Sequence, residues 1–233
     1  MKEPKIIIAL DFETDDSAMS LVEALDPLRC KLKVGKEMFT RYGPIFVARL
    51  ISRGFKIFLD LKYHDIPNTV RRSCEVAADL GVWMVNVHAL GGSDMMRSAK
   101  LGLGNAADRP LLTAVTVLTS HDDLSLEKIG ITCDIETLVL RLAGLAADSG
   151  LDGVVCSGFE AAKIKEALGR DFVTVTPGIR PSGDNFNDQK RVMTPAEAIK
   201  NGSDYLVIGR PVTRSIDPMG VIDAMEKELS LYS

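Results

Sequence analysis

Eight times along this 233-residue chain, a short apolar run rich in β-branched residues gives way to a longer stretch with helical spacing. The runs fall at 5–12, 30–35, 56–62, 84–89, 111–118, 153–156, 172–177 and 205–209. They are continuously apolar rather than alternating, which is the mark of strands covered on both faces. Stretches such as 17–25, 43–52, 69–80, 135–149, 161–168 and 195–201 carry apolar residues at helical spacing, as does 221–231 after the last strand. Strands and helices in alternation predict a parallel sheet. Eight such units in a chain of ~250 residues predict a (β/α)8 TIM barrel, here a single domain over 1–233. A doubly wound open sheet is the alternative, but it needs fewer strands, and no GxGxxG follows the first one.

The helix ends are marked in the same chain. Residues 194–197 (TPAE) combine an N-cap Thr, a Pro at the first helical position and a Glu three residues after the cap. Gly81, Gly150, Gly169 and Gly202 stand where helices must stop before the next strand. No linker, low-complexity tract or repeat beyond the βα period interrupts the pattern.

Charge and cysteine usage narrow the function. A net charge of −4 argues against general nucleic-acid binding, which needs a basic footprint. The four cysteines, Cys30, Cys74, Cys133 and Cys156, form no CxxC pair and match no zinc spacing, so they read as reduced thiols. The first apolar run ends at Asp11, too short for a signal segment. No apolar stretch approaches the ~20 residues of a membrane helix. The expectation is a soluble cytoplasmic protein with neither a membrane nor a nucleic-acid partner.

In such a barrel the active site lies at the C-terminal ends of the strands. The first strand ends in Asp11, the second carries Lys33, and the third ends in Asp60 and Lys62 with Asp65 just beyond. Residues two apart on a strand share a face, so Asp60 and Lys62 should point the same way, ~7 Å apart at Cα. Carboxylates beside an amine favour its charged form. Lys62 therefore reads as a proton donor to a developing carbanion. A rim salt-bridge network would explain one Asp–Lys pair, but it explains poorly five such groups converging at three adjacent strand ends.

The far end of the chain carries anion-binding chemistry. Residues 176–180 (TPGIR) follow the seventh strand and 208–213 (IGRPVT) the eighth, where barrels frequently bind phosphate. Gly178 and Gly209 admit close main-chain approach, and Arg180 and Arg210 can add bidentate hydrogen bonds. The polar segment 181–189 has the length and make-up of a lid. His64 should face away from Asp60 and Lys62 if the strand continues. His88 reads equally as a mouth-lining or a hydrogen-bonded core histidine, His121 as loop surface and Trp83 as packing. Asp15, Asp16, Asp122 and Asp123 are explained by helix capping and the helix dipole.

Residues 60–69 (DLKYHDIPNT) closely resemble the signature of the orotidine 5′-phosphate decarboxylase family in its short bacterial form. Residues 9–11 (ALD), 31–35 (KLKVG), 117–120 (VLTS), 176–180, Gln189 and 208–210 (IGR) follow in the family's order and spacing, so the likeness spans nearly the whole chain. It implies decarboxylation of orotidine 5′-phosphate to UMP with no metal or other cofactor. It implies that Asp11 and Lys33 hold ribose hydroxyls, with Lys33 also in the charge network. Asp60 would sit beside the substrate carboxylate, and Lys62 would protonate C6. Thr119 or Ser120 would hold the pyrimidine, Arg180, Gly209 and Arg210 the 5′-phosphate, and Gln189 the closed lid. Asp65, Ile66 and Thr69 would complete the neighbour's site in a homodimer.

Two alternatives compete. Sugar-phosphate decarboxylases or aldolases of the same barrel group, which use a Mg²⁺-bound enediolate, share the Asp-x-Lys-x-x-Asp pattern. They require a carboxylate metal ligand where this chain has Lys33, whose ammonium would repel the ion. The other alternative is a non-catalytic barrel that binds a phosphate ligand without turnover.

Overall fold

Eight parallel strands close into a barrel in strict sequence order: β1 (Ile6–Ala9), β2 (Lys31–Gly35), β3 (Ile57–Tyr63), β4 (Met84–His88), β5 (Leu111–Val115), β6 (Gly153–Val155), β7 (Val173–Thr176) and β8 (Tyr205–Ile208), with β8 pairing back onto β1. The computed structural model describes residues 3–181 and 193–230. The surrounding helices are α1 (Asp15–Glu23), α2 (Lys36–Ser52), α3 (Pro67–Asp79), α4 (Gly92–Leu103), α5 (Asp123–Glu127), α6 (Ile135–Asp148), α7 (Gly158–Leu168), α8 (Pro195–Lys200), α9 (Arg210–Thr213) and α10 (Pro218–Ser230). All eight expected strands are present.

Strand parity splits the core in two. Ile6, Ile8, Leu32, Val34, Ile57, Leu59, Val85 and Val87 pack outward against the helices. Ile7, Ala9, Phe58, Met84, Val115, Val155, Val175 and Val207 fill the barrel interior. Fully burying a side chain such as Phe58 contributes about 2 kcal/mol, so the interior is a packed core and not a channel. Because Leu32 and Val34 point outward, Lys31 and Lys33 must point inward, one near each end of β2.

Local signals set the helix boundaries. Thr194 caps α8 through the expected reciprocal capping box with Glu197, and Ser157 does the same for α7 with Glu160. Thr14 caps α1, with Asp15 and Asp16 in its first turn, and Asp122 caps α5. One expectation shifts. The helix read over 43–52 begins instead at Lys36, with a kink at Gly43 (φ 61°) before Pro44. The left-handed glycine lets a first helical segment join a second that Pro44 initiates.

At the N-terminal pole the interior is closed by an unusual plug. Lys31 is fully buried, with its Nζ 4.6 Å from the Trp83 ring centroid and 4.8 Å from that of Tyr205. The amine donates to the Pro4 carbonyl and lies 3.4 Å from Glu3 Oε1. Burial pulls its pKa down to about 8, against the opposing pull of Glu3. Trp83, expected only to pack, is one wall of this plug.

Candidate active site

The opposite pole gathers the charges. Ala9 pairs with Lys33 across β1 and β2, and Gly35 with Asp60 across β2 and β3, so the strand ends bring Asp11, Lys33, Asp60 and Lys62 together. Lys33 Nζ lies 3.2 Å from Asp11 Oδ1 and 3.2 Å from Asp60 Oδ2. Lys62 Nζ lies 2.7 Å from Asp60 Oδ1. Gly35 leaves these groups room: a Cβ would stand 3.1 Å from Lys33 Nζ and 3.2 Å from Asp11 Oδ1, so both side chains would have to shift by a few tenths of an ångström.

Electrostatics follow from this alternation. Burial alone would raise the Asp60 pKa, but Lys33 and Lys62 outweigh it and hold the carboxyl below its ordinary value. Burial alone would lower Lys33, but Asp60 and Asp11 outweigh it and hold the amine above its ordinary value. Asp60 is thus a buried anion with an ammonium against each oxygen.

The strand does not run on regularly to Lys62, as the sequence suggested. Leu59 pairs with Val85 but Tyr63 pairs with Val87, so residues 60–62 bulge opposite the single residue Asn86. Lys62 adopts the left-handed region (φ 53°), at a cost of about 1–2 kcal/mol for a residue with a Cβ. The Asp60–Lys62 pairing therefore comes from a bulge rather than from i, i+2 alternation. Asn86, unremarked in the sequence, accepts from Lys62 N at 2.8 Å and donates to Asp60 Oδ1 at 2.7 Å. A polar residue at inward parity on an otherwise apolar strand was the available signal.

These groups open onto a cavity of about 610 Å³, which suits a nucleotide-sized ligand. Asp11, Lys33, Asp60 and Lys62 line it, joined by Thr119 and Ser120 after β5, Gly178 and Arg180 after β7, and Gly209 and Arg210 after β8. Val115, Val155 and Val207 supply apolar wall. Arg180 is buried, its Nη1 donating to the Ile179 carbonyl at 2.9 Å, and Ile179 bridges to Met193. Gln189 lies outside the described residues, as does most of the segment read as a lid.

Asp65, Ile66 and Thr69 do not join this cluster, so the expected convergence of five charged groups within one chain is corrected to four. They are exposed around the start of α3, outside the cavity lining, with Asp65 Oδ1 accepting from Ile66 N and Ile66 67% exposed. His64 turns toward His88, with ring centroids 5.6 Å apart. His88 Nδ1 is buried with no hydrogen-bond partner among the described residues, and His88 is not among the residues that line the cavity. Burial first, then His64, Lys62 and Lys36, lowers its pKa to about 4. His121 bonds Ser125 in its loop. Among the described residues no helix is long and apolar enough to cross a membrane.

A (β/α)8 barrel with paired carboxylates and amines at its mouth, and arginines after its last strands, belongs to the class of barrel enzymes that work on small anionic substrates. The family model described as "Orotidine 5'-phosphate decarboxylase / HUMPS family" matches residues 4–225. An orotidine 5'-phosphate decarboxylase of Pseudoalteromonas atlantica is 55% identical over 231 residues, covering 99% of this chain and 100% of the relative. One of Nitrosococcus oceani is 56% identical over 230 residues, covering 99% of each. The crystal structure of orotidine 5'-phosphate decarboxylase from Lactobacillus acidophilus superposes with a TM-score of 0.86 at 42% identity, covering 98% of this chain and 99% of that one. The chain belongs to the orotidine 5'-phosphate decarboxylase / HUMPS family.

Proposed function

We propose that this protein converts orotidine 5′-phosphate to uridine 5′-phosphate and CO₂, the step that forms UMP in pyrimidine biosynthesis. The observation that carries the reading is the Lys33 ammonium, set 3.2 Å from both Asp11 and Asp60. Metal-dependent relatives need a carboxylate at that position, and a fixed ammonium repels a divalent cation. The cavity, the arginines after β7 and β8, and relatives above 50% identity along the full chain support the same substrate.

The chemistry follows from the charges. As the C6–carboxylate bond breaks, its electron pair stays on C6 as a carbanion with little resonance relief. A preorganised cation aimed at that carbon stabilises the charge as it develops. Lys62 fills this role and then gives its proton to C6, regaining one from solvent after product leaves. Asp60 stands beside the departing carboxylate and keeps Lys62 and Lys33 in register. Asp11 and Lys33 hold the ribose hydroxyls, Thr119 or Ser120 the pyrimidine edge, and Arg180, Gly209 and Arg210 the 5′-phosphate. Binding energy from the remote phosphate orders the site around the base, and Gln189 ties down the closed lid.

The single-domain barrel acts in the cytoplasm as a homodimer, with Asp65, Ile66 and Thr69 completing the partner's site. Their exposure beside an otherwise well-lined cavity supports this arrangement. Two inactive proteins, Lys62→Ala and Asp65→Ala, are expected to regain activity when mixed, because one hybrid site is intact. No gain after confirmed subunit exchange rejects the shared site. The function itself is tested by following loss of orotidylate absorbance after EDTA treatment. Unchanged turnover is expected, turnover lost to EDTA points to the metal-dependent reading, and binding without any turnover to a non-catalytic barrel.

A further inference from the structure

We propose that Asn86 is a positioning residue for the decarboxylation: its buried amide clamps the Lys62 main chain and the Asp60 carboxylate in the geometry that proton transfer needs. The proposal rests on the decarboxylase function above and extends it to a residue on β4 that lies outside the cavity lining.

Asn86 is fully buried at inward parity between Met84 and His88. It faces the β3 bulge alone, where three residues, 60–62, oppose one. A bulge of this kind breaks the main-chain ladder and leaves polar groups to be served by other means. The Asn86 side chain serves them. Its Oδ1 accepts the Lys62 N–H at 2.8 Å, and its Nδ2 donates to Asp60 Oδ1 at 2.7 Å. The reverse amide orientation would set donor against donor and acceptor against acceptor, so the partners fix it.

The consequence reaches the reacting groups. Asp60 Oδ1 is shared by Asn86 Nδ2 and Lys62 Nζ, while Oδ2 faces Lys33. With both oxygens engaged, the carboxylate cannot rotate, and the Lys62 side chain starts from a left-handed main chain pinned at its own N–H. Across this break in register the side-chain amide performs the task. An apolar residue in its place leaves the partly buried Lys62 N–H and one lone pair of buried Asp60 without these partners, and the bulge free to relax.

Two variants test the clamp. Asn86→Leu removes both hydrogen bonds at similar volume. Its kcat is expected to fall about 100-fold, the effect of misplacing a reacting group by an ångström. Its affinity for UMP, held mainly at the phosphate end, should stay within about threefold of wild type. Asn86→Asp keeps the acceptor for Lys62 N–H but sets a carboxylate against Asp60. Lys62 on β3 and Lys33 on β2 also face that pair, His88 adjoins on β4, and the β5 residue in register is the uncharged Thr113. Two carboxylates at hydrogen-bond distance share a proton and resist losing it. Asn86→Asp should therefore regain activity as pH falls, through an ionisation that the wild-type profile lacks.

A kcat for Asn86→Leu within about threefold of wild type, far short of the expected misplacement effect, overturns the proposal. So does an equal loss of UMP affinity, or an Asn86→Asp profile parallel to wild type. Should Asn86→Leu not fold, the Asn86→Asp profile decides alone. Amide hydrogen exchange at Lys62 separates this outcome from the function itself. It should be slow in wild type and at least about 100-fold faster in Asn86→Leu. An unchanged rate rejects the clamp even where wild type shows no turnover, and absent turnover rejects the decarboxylase.

Discussion

Two lysines sit two residues apart on β2, both facing the barrel interior, and their environments drive them in opposite directions. Lys31 closes the N-terminal pole among Trp83, Tyr205 and the Pro4 carbonyl, with half-exposed Glu3 as its carboxylate partner, and its pKa falls to about 8. Lys33 stands at the C-terminal pole between Asp11 and Asp60, and its pKa rises. Burial acts on both amines, so what separates them is how many fixed anions each one meets. At one pole the charge is tolerated as part of a plug. At the other it is held in an alternating network, which is the arrangement needed to stabilise charge formed during a reaction.

Exchanging each lysine for methionine breaks the comparison most forcefully. Lys33→Met removes one of the two ammonium groups from buried Asp60, and kcat/KM on orotidylate is expected to drop at least about 100-fold. The same change should cost about 3 kcal/mol of stability in urea unfolding, because a buried charge loses a partner. Lys31→Met replaces a desolvated amine with an apolar chain of similar length. It should leave kcat/KM within about threefold and stability at neutral pH within about 1 kcal/mol, or raise it. Equal effects from the two substitutions would erase the distinction between the poles.

Alkaline titration of stability sharpens the contrast. The unfolded chain holds the Lys31 proton more tightly than the folded one, so wild type gains stability relative to Lys31→Met as pH rises from about 8 toward 10.5, the ordinary lysine value. The sign reverses for Lys33. Its raised pKa contributes stability in full below 10.5, and that contribution is lost as pH climbs through the folded value. Denaturant unfolding of wild type and the two variants from pH 7 upward should give difference curves of opposite slope. On the acid side, Asp60 contributes stability above its ordinary value of 3.8, lost as pH falls through the lower folded one.

The smallest effect concerns one wall of the plug. Trp83→Leu removes an aromatic face from Lys31 and should cost about 1–2 kcal/mol in thermal or urea unfolding with no change in kcat. A loss of activity there would mean that the two poles are coupled.

Much of this was legible in the chain because strands and helices leave periodic marks. The eight apolar runs became eight barrel strands, and the capping residues at 194–197 closed their helix as their chemistry requires. Asp11, Lys33 and Asp60 could be placed at strand ends by parity and order, and Lys62 by order alone. The bulge at 60–62 could not, because a register shift arises from pairing between strands and not from the local sequence. Asn86 was hidden for the same reason: its role exists only opposite that bulge. Lys31 shares the parity of Lys33, so its inward direction was readable. Its ring partners come from β8 and the residue before β4, which only closure of the barrel brings together.

The central chemical role falls to Lys62, the group proposed to stabilise and then protonate C6 at the C-terminal pole. The most direct test is the rate of orotidylate loss, measured by absorbance, for wild type beside Lys62→Ala. Wild-type turnover with a kcat at least about 10⁴-fold above that of Lys62→Ala is the expected result. A Lys62→Ala protein that keeps most of the wild-type rate, or a wild type that turns over no orotidylate, would contradict it.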